Sequence, residues 1–414
     1  MIDYSRAKSL AEQYGTPFYV FHQELFKSNV CAFKEAFLKR YPKVIVGYSF
    51  KTNYIPAIAG AAQQIGCFAE VVSGMEYEIA LRLGYTGENI IFNGPIKKRD
   101  EIFRALEQGA VINLDSRVEL EHVLAYRAAY PARQVKVGLR INIALNKARG
   151  MQVMHDGNRY GRFGLTPDHL EQIIPLLQEN SVRICSLHGH TTSVDRAPEN
   201  YEIICRKMLQ VAHDYSLNDI EQFNIGGGFF GAAAKGIDIT DKPSYEDYAQ
   251  VVLDCLLADP WFQRIQPALV IEPGGSVVSN TFSIYTQVHQ HKKVQDKHFV
   301  VVDSGVFEIK PSMHGVNLPQ ELLTPDLEER PQITAMVVGS TCMERDVIAR
   351  RVTMPLAKPG DMLRIDGVGA YTLVFTPNTF INFVPPVLVV EEGQGRLIRR
   401  RQTLDDVMAT YCLE

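Results

Sequence analysis

Between residue 44 and about residue 272, short β-rich runs alternate with helical stretches, and no other feature of the chain constrains its fold as tightly. The runs are Val44-Ile45-Val46, Phe68 to Val72, Ile90 to Phe92, Val111 to Leu114, Val135 to Ile143, Ile184 to His188, Gln222 to Ile225 and Ala268 to Ile271. Between them lie Ala57 to Ile65, Tyr77 to Leu83, Arg99 to Glu107, Arg117 to Ala129, Pro167 to Gln178, Tyr201 to Tyr215 and Tyr245 to Leu257, all with helical texture. A strand can pair in parallel with its successor only through a connection of helix length, so this rhythm predicts a parallel sheet of the α/β class. About eight such units over roughly 230 residues suit a closed (β/α)8 TIM barrel, with functional groups at the C-terminal ends of the strands.

The texture changes after residue 280. Ser283 to His289, His298 to Asp303, Gln332 to Val338, Met362 to Ile365 and Val387 to Glu391 read as strands separated by Pro and Gly turns, with little helix between them. The 414 residues are enough for two domains. The expected division is a barrel over 25–282 and a β-rich C-terminal domain over 283–414, joined by segment 1–24. Within that segment Thr16-Pro17-Phe18-Tyr19-Val20-Phe21 reads as a further strand.

A formal net charge of -4 gives no footprint for nucleic acid, and Arg399-Arg400-Arg401 reads as a short solvated run. Seven cysteines, an odd number without a CxxC pair, describe free thiols in a reducing compartment, so a cytoplasmic location is expected. No apolar run approaches signal-peptide length at the N-terminus or the ~20 residues that cross a bilayer, so no membrane partner is expected. No metal is expected either.

If strand ends carry the chemistry, the polar residues just beyond each run should form a consistent set. Lys51, in Gly47-Tyr48-Ser49-Phe50-Lys51-Thr52-Asn53-Tyr54, places a primary amine at the mouth of a strand. Such an amine can form a Schiff base with an aldehyde, and pyridoxal 5'-phosphate (PLP) is the aldehyde cofactor of widest chemistry. Ile184 to Leu187 leads into His188-Gly189-His190-Thr191-Thr192-Ser193. Gln222 to Ile225 leads into Gly226-Gly227-Gly228-Phe229-Phe230-Gly231, a turn whose bare amides can approach a phosphate closely. No GxxxxGK[ST] string is present, so a nucleoside triphosphate is not the natural guest. Ala268 to Ile271 ends in Glu272-Pro273-Gly274, and a carboxylate there can hydrogen-bond a protonated pyridine nitrogen.

Taken in order, these motifs resemble those of the fold-type III PLP-dependent decarboxylases, the diaminopimelate, ornithine and arginine decarboxylase group, whose barrel is alanine-racemase-like. GYSFKTNY is similar to the family's lysine box, AEVVSGMEYEIA to its V-V-S-x-x-E segment and INLDSRVELE to its D-S-x-x-E-L segment. RFGL, HGHTTS, GGGFFG, EPG, GSTCMERD and GAYT follow in the family's order. The resemblance implies that Lys51 is the Schiff-base lysine, that His190 stacks on the pyridine face and that Glu272 pairs with the pyridine nitrogen. It assigns the phosphate to Ser193 and Gly226, Gly227 and Gly228, with Arg140 near the cofactor and Tyr371 touching phosphate or substrate. It also implies a homodimer in which Cys342 and Glu344 reach the neighbouring subunit's site, Cys342 as the donor that protonates Cα.

Three positions depart from diaminopimelate decarboxylases, all in the grip on the substrate's carboxylate. E-P-G-R has become Glu272-Pro273-Gly274-Gly275, and R-P-x-L-Y has become Lys310-Pro311-Ser312-Met313-His314. A lysine does not reproduce the planar two-point grip of an arginine. The change points to α-decarboxylation of an altered L-amino acid or amino-acid conjugate, a small carboxylated amine bound by Lys310, His314, Glu344 and Tyr371. The leading reading is a citryl-amino-acid intermediate of siderophore assembly. The alternatives are meso-diaminopimelate decarboxylation in lysine biosynthesis, a PLP racemase, and a non-catalytic regulator of a related decarboxylase.

Overall fold

The computed structural model describes residues 2–144, 161–191, 196–375, 379–391 and 394–412. Contacts divide the chain into two compact units, one formed by 27–231 and 241–277, the other by 1–26, 232–240 and 278–414.

The first unit is a closed barrel of eight parallel strands in chain order: Val44–Ser49, Phe68–Val71, Ile90–Phe92, Val111–Leu114, Val135–Ile141, Val182–Gly189, Gln222–Asn224 and Ala268–Ile271. Closure comes from pairing of the last strand with the first, Val44 opposite Leu269 and Val46 opposite Ile271. Covered on both faces, the strands read as continuous apolar runs, as in Ile90-Ile91-Phe92, where all three residues are fully buried. Complete burial of a side chain such as Phe92 or Phe223 stabilises the fold by ~1.5–3 kcal/mol.

Two helices begin with the same device. Ser73 accepts a hydrogen bond from the Glu76 amide while Glu76 accepts one from the Val72 amide. Ser116 accepts from the Glu119 amide and Glu119 from the Asp115 amide. These reciprocal caps start helices Gly74–Arg82 and Arg117–Ala129 immediately after their strands. The V-S-x-x-E and D-S-x-x-E strings therefore serve local structure, turning the chain sharply at the barrel rim.

The second unit holds a nine-stranded mixed sheet. Phe18–Phe21 lies inside it, antiparallel to Phe282–Val294 and parallel to Val387–Glu391. Ring stacking of Phe18 on Tyr285 and of Phe21 on Phe282 fills the seam. Strands Gln320–Leu323, Val347–Pro355 and Gln394–Arg399 also belong to this sheet but were not legible from the sequence. Arg350 and Arg351 break the apolar pattern of the second, and the third is polar and lies at the end of the sheet order.

Candidate active site

At the C-terminal end of the barrel, a cavity of about 210 Å³ is lined by Lys51, Glu70, Val72, Asn93, Gly94, Pro95, Arg140, Arg162, Phe163, His188, His190 and Glu272. A larger cleft of about 710 Å³ lies at the opposite face, beside Ala110, Gln134 and Ser181, which immediately precede their strands. Three of its cations are already paired there, Arg133 with Glu107, and Lys136 and Arg183 with Glu221. Of these two cavities, the smaller is the one that gathers an amine, carboxylates and imidazoles.

Lys51 sits on a single 3-10 turn, Phe50–Thr52, directly after the first barrel strand. The flanking Phe50 and Thr52 are fully buried and the Tyr48 hydroxyl donates to the Asn53 carbonyl at 2.7 Å, so the turn is anchored on both sides of the lysine. Lys51 Nζ donates to Glu70 Oε2 at 2.6 Å and to Ser49 Oγ at 2.7 Å.

Glu272 is 3% exposed at the end of the last strand. Its Oε1 accepts from Asn93 Nδ2 at 2.8 Å and Asn224 Nδ2 at 2.7 Å, and its Oε2 lies 3.4 Å from His188 Nε2. Burial opposes its charge, but His188, Lys51 and Asn224 outweigh burial and hold the carboxyl below the usual carboxylate range. Glu272 is an anion at neutral pH.

His190 Nδ1 accepts from the Gly227 amide at 3.0 Å, which leaves any ring proton on Nε2. Burial, Arg140 and Lys51 together push its pKa down to about 3, so the imidazole is neutral. Arg140 is anchored by Asp115 Oδ2 at 3.0 Å and lies over the Phe163 ring at 4.7 Å, while among the described residues its Nε has no hydrogen-bond partner. Its neighbour in the rim is a buried pair, Lys97 Nζ to Glu119 Oε2 at 2.9 Å, and Lys97 also donates to the Gly94 carbonyl at 2.8 Å.

The glycine turn passes very close to the end of the last strand. A Cβ at Gly227 would lie 2.3 Å from the Glu272 carbonyl oxygen, and Gly226 has φ +70° with His190 against it. Two of the three amides are committed within the protein: Gly226 donates to Asn224 Oδ1 at 2.9 Å and Gly227 to His190. Among the described residues the Gly228 amide has no partner, so it alone of the three is free to meet an anion.

The structure thus brings Lys51, Arg140, His190, Glu272 and the glycine turn together. Ser193 lies outside the described residues. Cys342, Glu344, Lys310, His314 and Tyr371 belong to the second unit. There Cys342 is exposed, Tyr371 is 40% exposed with φ +55°, and Lys310 is buried, its pKa lowered by burial and by Arg350. The sequence reading missed Glu70, Asn93, Asn113, His188 and Asn224. Each is a polar residue at or just beyond the C-terminal end of a barrel strand, and a rim-by-rim count of such positions would have found them.

These groups fit PLP. A primary amine and an anionic carboxylate face one cavity, an orphaned guanidinium nitrogen lies beside it, and a turn too tight for any Cβ offers one unpaired amide.

Comparison with known proteins agrees. Residues 27–279 match the sequence model of the family described as "Pyridoxal-dependent decarboxylase, pyridoxal binding domain". A probable chloroplastic diaminopimelate decarboxylase of Oryza sativa subsp. japonica is 28% identical, over 96% of this chain and 79% of its own length. The L-glutamyl-[BtrI acyl-carrier protein] decarboxylase of Niallia circulans is 25% identical, over 99% of this chain and 96% of its own length. The crystal structure of the Methanocaldococcus jannaschii diaminopimelate decarboxylase superposes with a TM-score of 0.87 at 26% identity, covering 99% of this chain and 94% of that one. With the site and these matches in agreement, the chain belongs to the pyridoxal-dependent decarboxylases, carboxy-lyases that act on amino acids with PLP as cofactor.

Proposed function

We propose that the chain removes the α-carboxylate of a diaminopimelate-like amino acid. The observation that carries this reading is that Lys51 and Glu272 line one cavity, an amine and a carboxylate held below the usual carboxylate range facing the same space. Lys51 would carry the cofactor aldehyde, Glu272 would pair with the pyridine nitrogen and His190, neutral, would lie on the ring face. Arg140, Ser193 and the Gly228 amide would hold the phosphate, while Gly226 and Gly227 shape the turn. Bound there, PLP supplies the sink for the electron pair left when the bond between Cα and the carboxylate breaks.

Glu272 keeps its charge because His188, Lys51 and Asn224 outweigh its burial, and that constancy suits a group whose task is to hold a proton on a neighbour. His190 cannot compete for that proton, since it stays neutral and spends Nδ1 on the Gly227 amide. Return of a proton to Cα falls to the exposed Cys342 thiol, with Glu344 beside it in sequence, both offered by the second copy of a homodimer.

For the substrate, meso-diaminopimelate is the first candidate, supported by the names of the rice and Methanocaldococcus relatives. Carbon dioxide release from purified holoenzyme tests it: turnover of meso-diaminopimelate to lysine supports the reading and no turnover sinks it. A second reading, a citryl-amino-acid conjugate, is favoured by Gly275, Lys310 and His314, where the usual carboxylate grip is altered. The same assay on citryl conjugates decides between them.

A further inference from the structure

We propose that Asn93 is a positioning residue that sets the spacing between Glu70, the partner of Lys51, and Glu272, so that the two walls of the PLP site are built as one unit. Both carboxylates are almost fully buried, Glu70 at 1% and Glu272 at 3% exposure. Each has one oxygen turned to a basic group, Glu70 Oε2 to Lys51 and Glu272 Oε2 to His188. The remaining oxygens converge on a single nitrogen: Asn93 Nδ2 donates to Glu70 Oε1 at 3.0 Å and to Glu272 Oε1 at 2.8 Å. A planar amide has two hydrogens about 120° apart, so it holds the two acceptor oxygens roughly 5 Å from one another.

The amide cannot turn over. Asn113 Nδ2 donates to Asn93 Oδ1 at 2.8 Å, and a flipped Asn93 would face two anions with its oxygen. Asn113 itself occupies space that exists only because residue 138 is glycine, where a Cβ would fall 1.9 Å from Asn113 Oδ1. On the other side Asn224 joins Glu272 to the Gly226 amide, so one buried polar layer runs from Lys51 to the phosphate turn. Without Asn93, two buried like charges would face each other with no shared donor. The other charged or titratable groups around them among the described residues are Lys51, His188, His190, Arg140, Arg162 and Glu76.

The test uses Asn93→Asp and Asn93→Leu, which are similar in size. Leucine never donates; aspartate donates one hydrogen bond once it is protonated, and two neighbouring carboxylates raise the pH at which that happens. PLP dissociation constants are measured by absorbance titration of cofactor-free protein at pH 8 and pH 5.5, relative to wild type at the same pH, with the thermal midpoint as a control for folding. At pH 8 both variants bind PLP about tenfold more weakly, the loss expected for hydrogen bonds to charged groups. At pH 5.5 Asn93→Asp returns to within about threefold of wild type and Asn93→Leu does not. Wild-type affinity in either variant at pH 8, or equal deficits in both variants at both pH values, overturns the proposal. Should neither variant fold, Asn113→Ala, which frees the amide to turn, decides: weaker PLP binding supports the role and wild-type binding refutes it.

Discussion

Lys51 Nζ lies 2.6 Å from Glu70 Oε2, so the lysine that lines the cavity among the described residues is held by a carboxylate buried in the next strand of the barrel. That contact fixes where the amine points. Lys51→Ala should remove the absorption near the visible edge that the holoprotein shows, and activity with it, while the far-UV circular dichroism stays that of the wild type. A visible band that persists in the variant would exclude Lys51 as the attachment point.

Glu272→Gln keeps the size of the side chain and its contacts with Asn93 and Asn224 but removes the charge. Preorganised charge of this kind is worth ~10²–10³ in kcat, and a loss of that order is expected with PLP still bound, as judged from the spectrum. The wild-type carboxyl has a pKa below its ordinary value, so its contribution is present above the usual carboxylate range and is lost only as pH falls through the lower, folded value. The kcat of the wild type should therefore show no limb from this group between pH 8 and pH 5. A kcat in Glu272→Gln within a factor of two of wild type would remove Glu272 from the reaction.

Strings and single residues were not equally legible. Lys51, His190 and Glu272 stand in recognisable strings at strand ends, and the eight-fold alternation supplied the barrel that makes a strand end meaningful. Helices Arg99–Glu107, Arg117–Ala129 and Tyr245–Leu257 lie where the pattern predicts them. Helix Pro260–Ile265 has only six residues, too few to show a period, and is started by Asp259 capping the Trp261 and Phe262 amides. Asn93 and Glu272 are 179 positions apart, and nothing local in either strand announces that they share a hydrogen bond. Closure of the barrel brings them together, and closure is a property of all eight strands.

His190 has a folded-state pKa near 3 against an ordinary 6.5, lowered by burial and then by Arg140 and Lys51. In the unfolded chain the ring takes up its proton near 6.5, so below that pH the unfolded state is favoured progressively, down to the folded value. Glu76, raised to about 7 by burial, acts in the opposite sense between pH 4.5 and 7, so the comparison must be between proteins. Thermal midpoints of cofactor-free wild type and His190→Phe, measured from pH 7.5 to 4.5, should diverge in favour of the variant as pH falls. Parallel curves would show that the imidazole is not held neutral.

If Cys342 serves the partner's site, Lys51→Ala and Cys342→Ala chains should complement each other. Random exchange of subunits places both lesions in one site of a mixed dimer and leaves the other site intact, so an equal mixture recovers about a quarter of wild-type activity. Each variant alone stays nearly inactive. No recovery after subunit exchange, verified by mass, would place Cys342 in its own chain's site, and wild-type activity of Cys342→Ala alone would place it outside the reaction.

Lys97 and Glu119 form the most deeply buried ion pair among the described residues, with side chains 0% and 3% exposed. Burial lowers the pKa of Lys97 and raises that of Glu119, each partly offset by the other. The pair is tied to the site at two points. Lys97 holds the Gly94 carbonyl in the cavity wall, and Glu119 caps the amide of Asp115, which anchors Arg140. Lys97→Met leaves a carboxylate buried without its cation and should cost about 3–5 kcal/mol, whereas Lys97→Met combined with Glu119→Gln removes both charges and should recover more than half of that loss. Denaturant unfolding of the two single variants and the double variant gives the coupling directly. Additive losses would mean that the two side chains do not depend on each other, and the Gly94 wall and the Asp115 anchor would then be separate supports of the site.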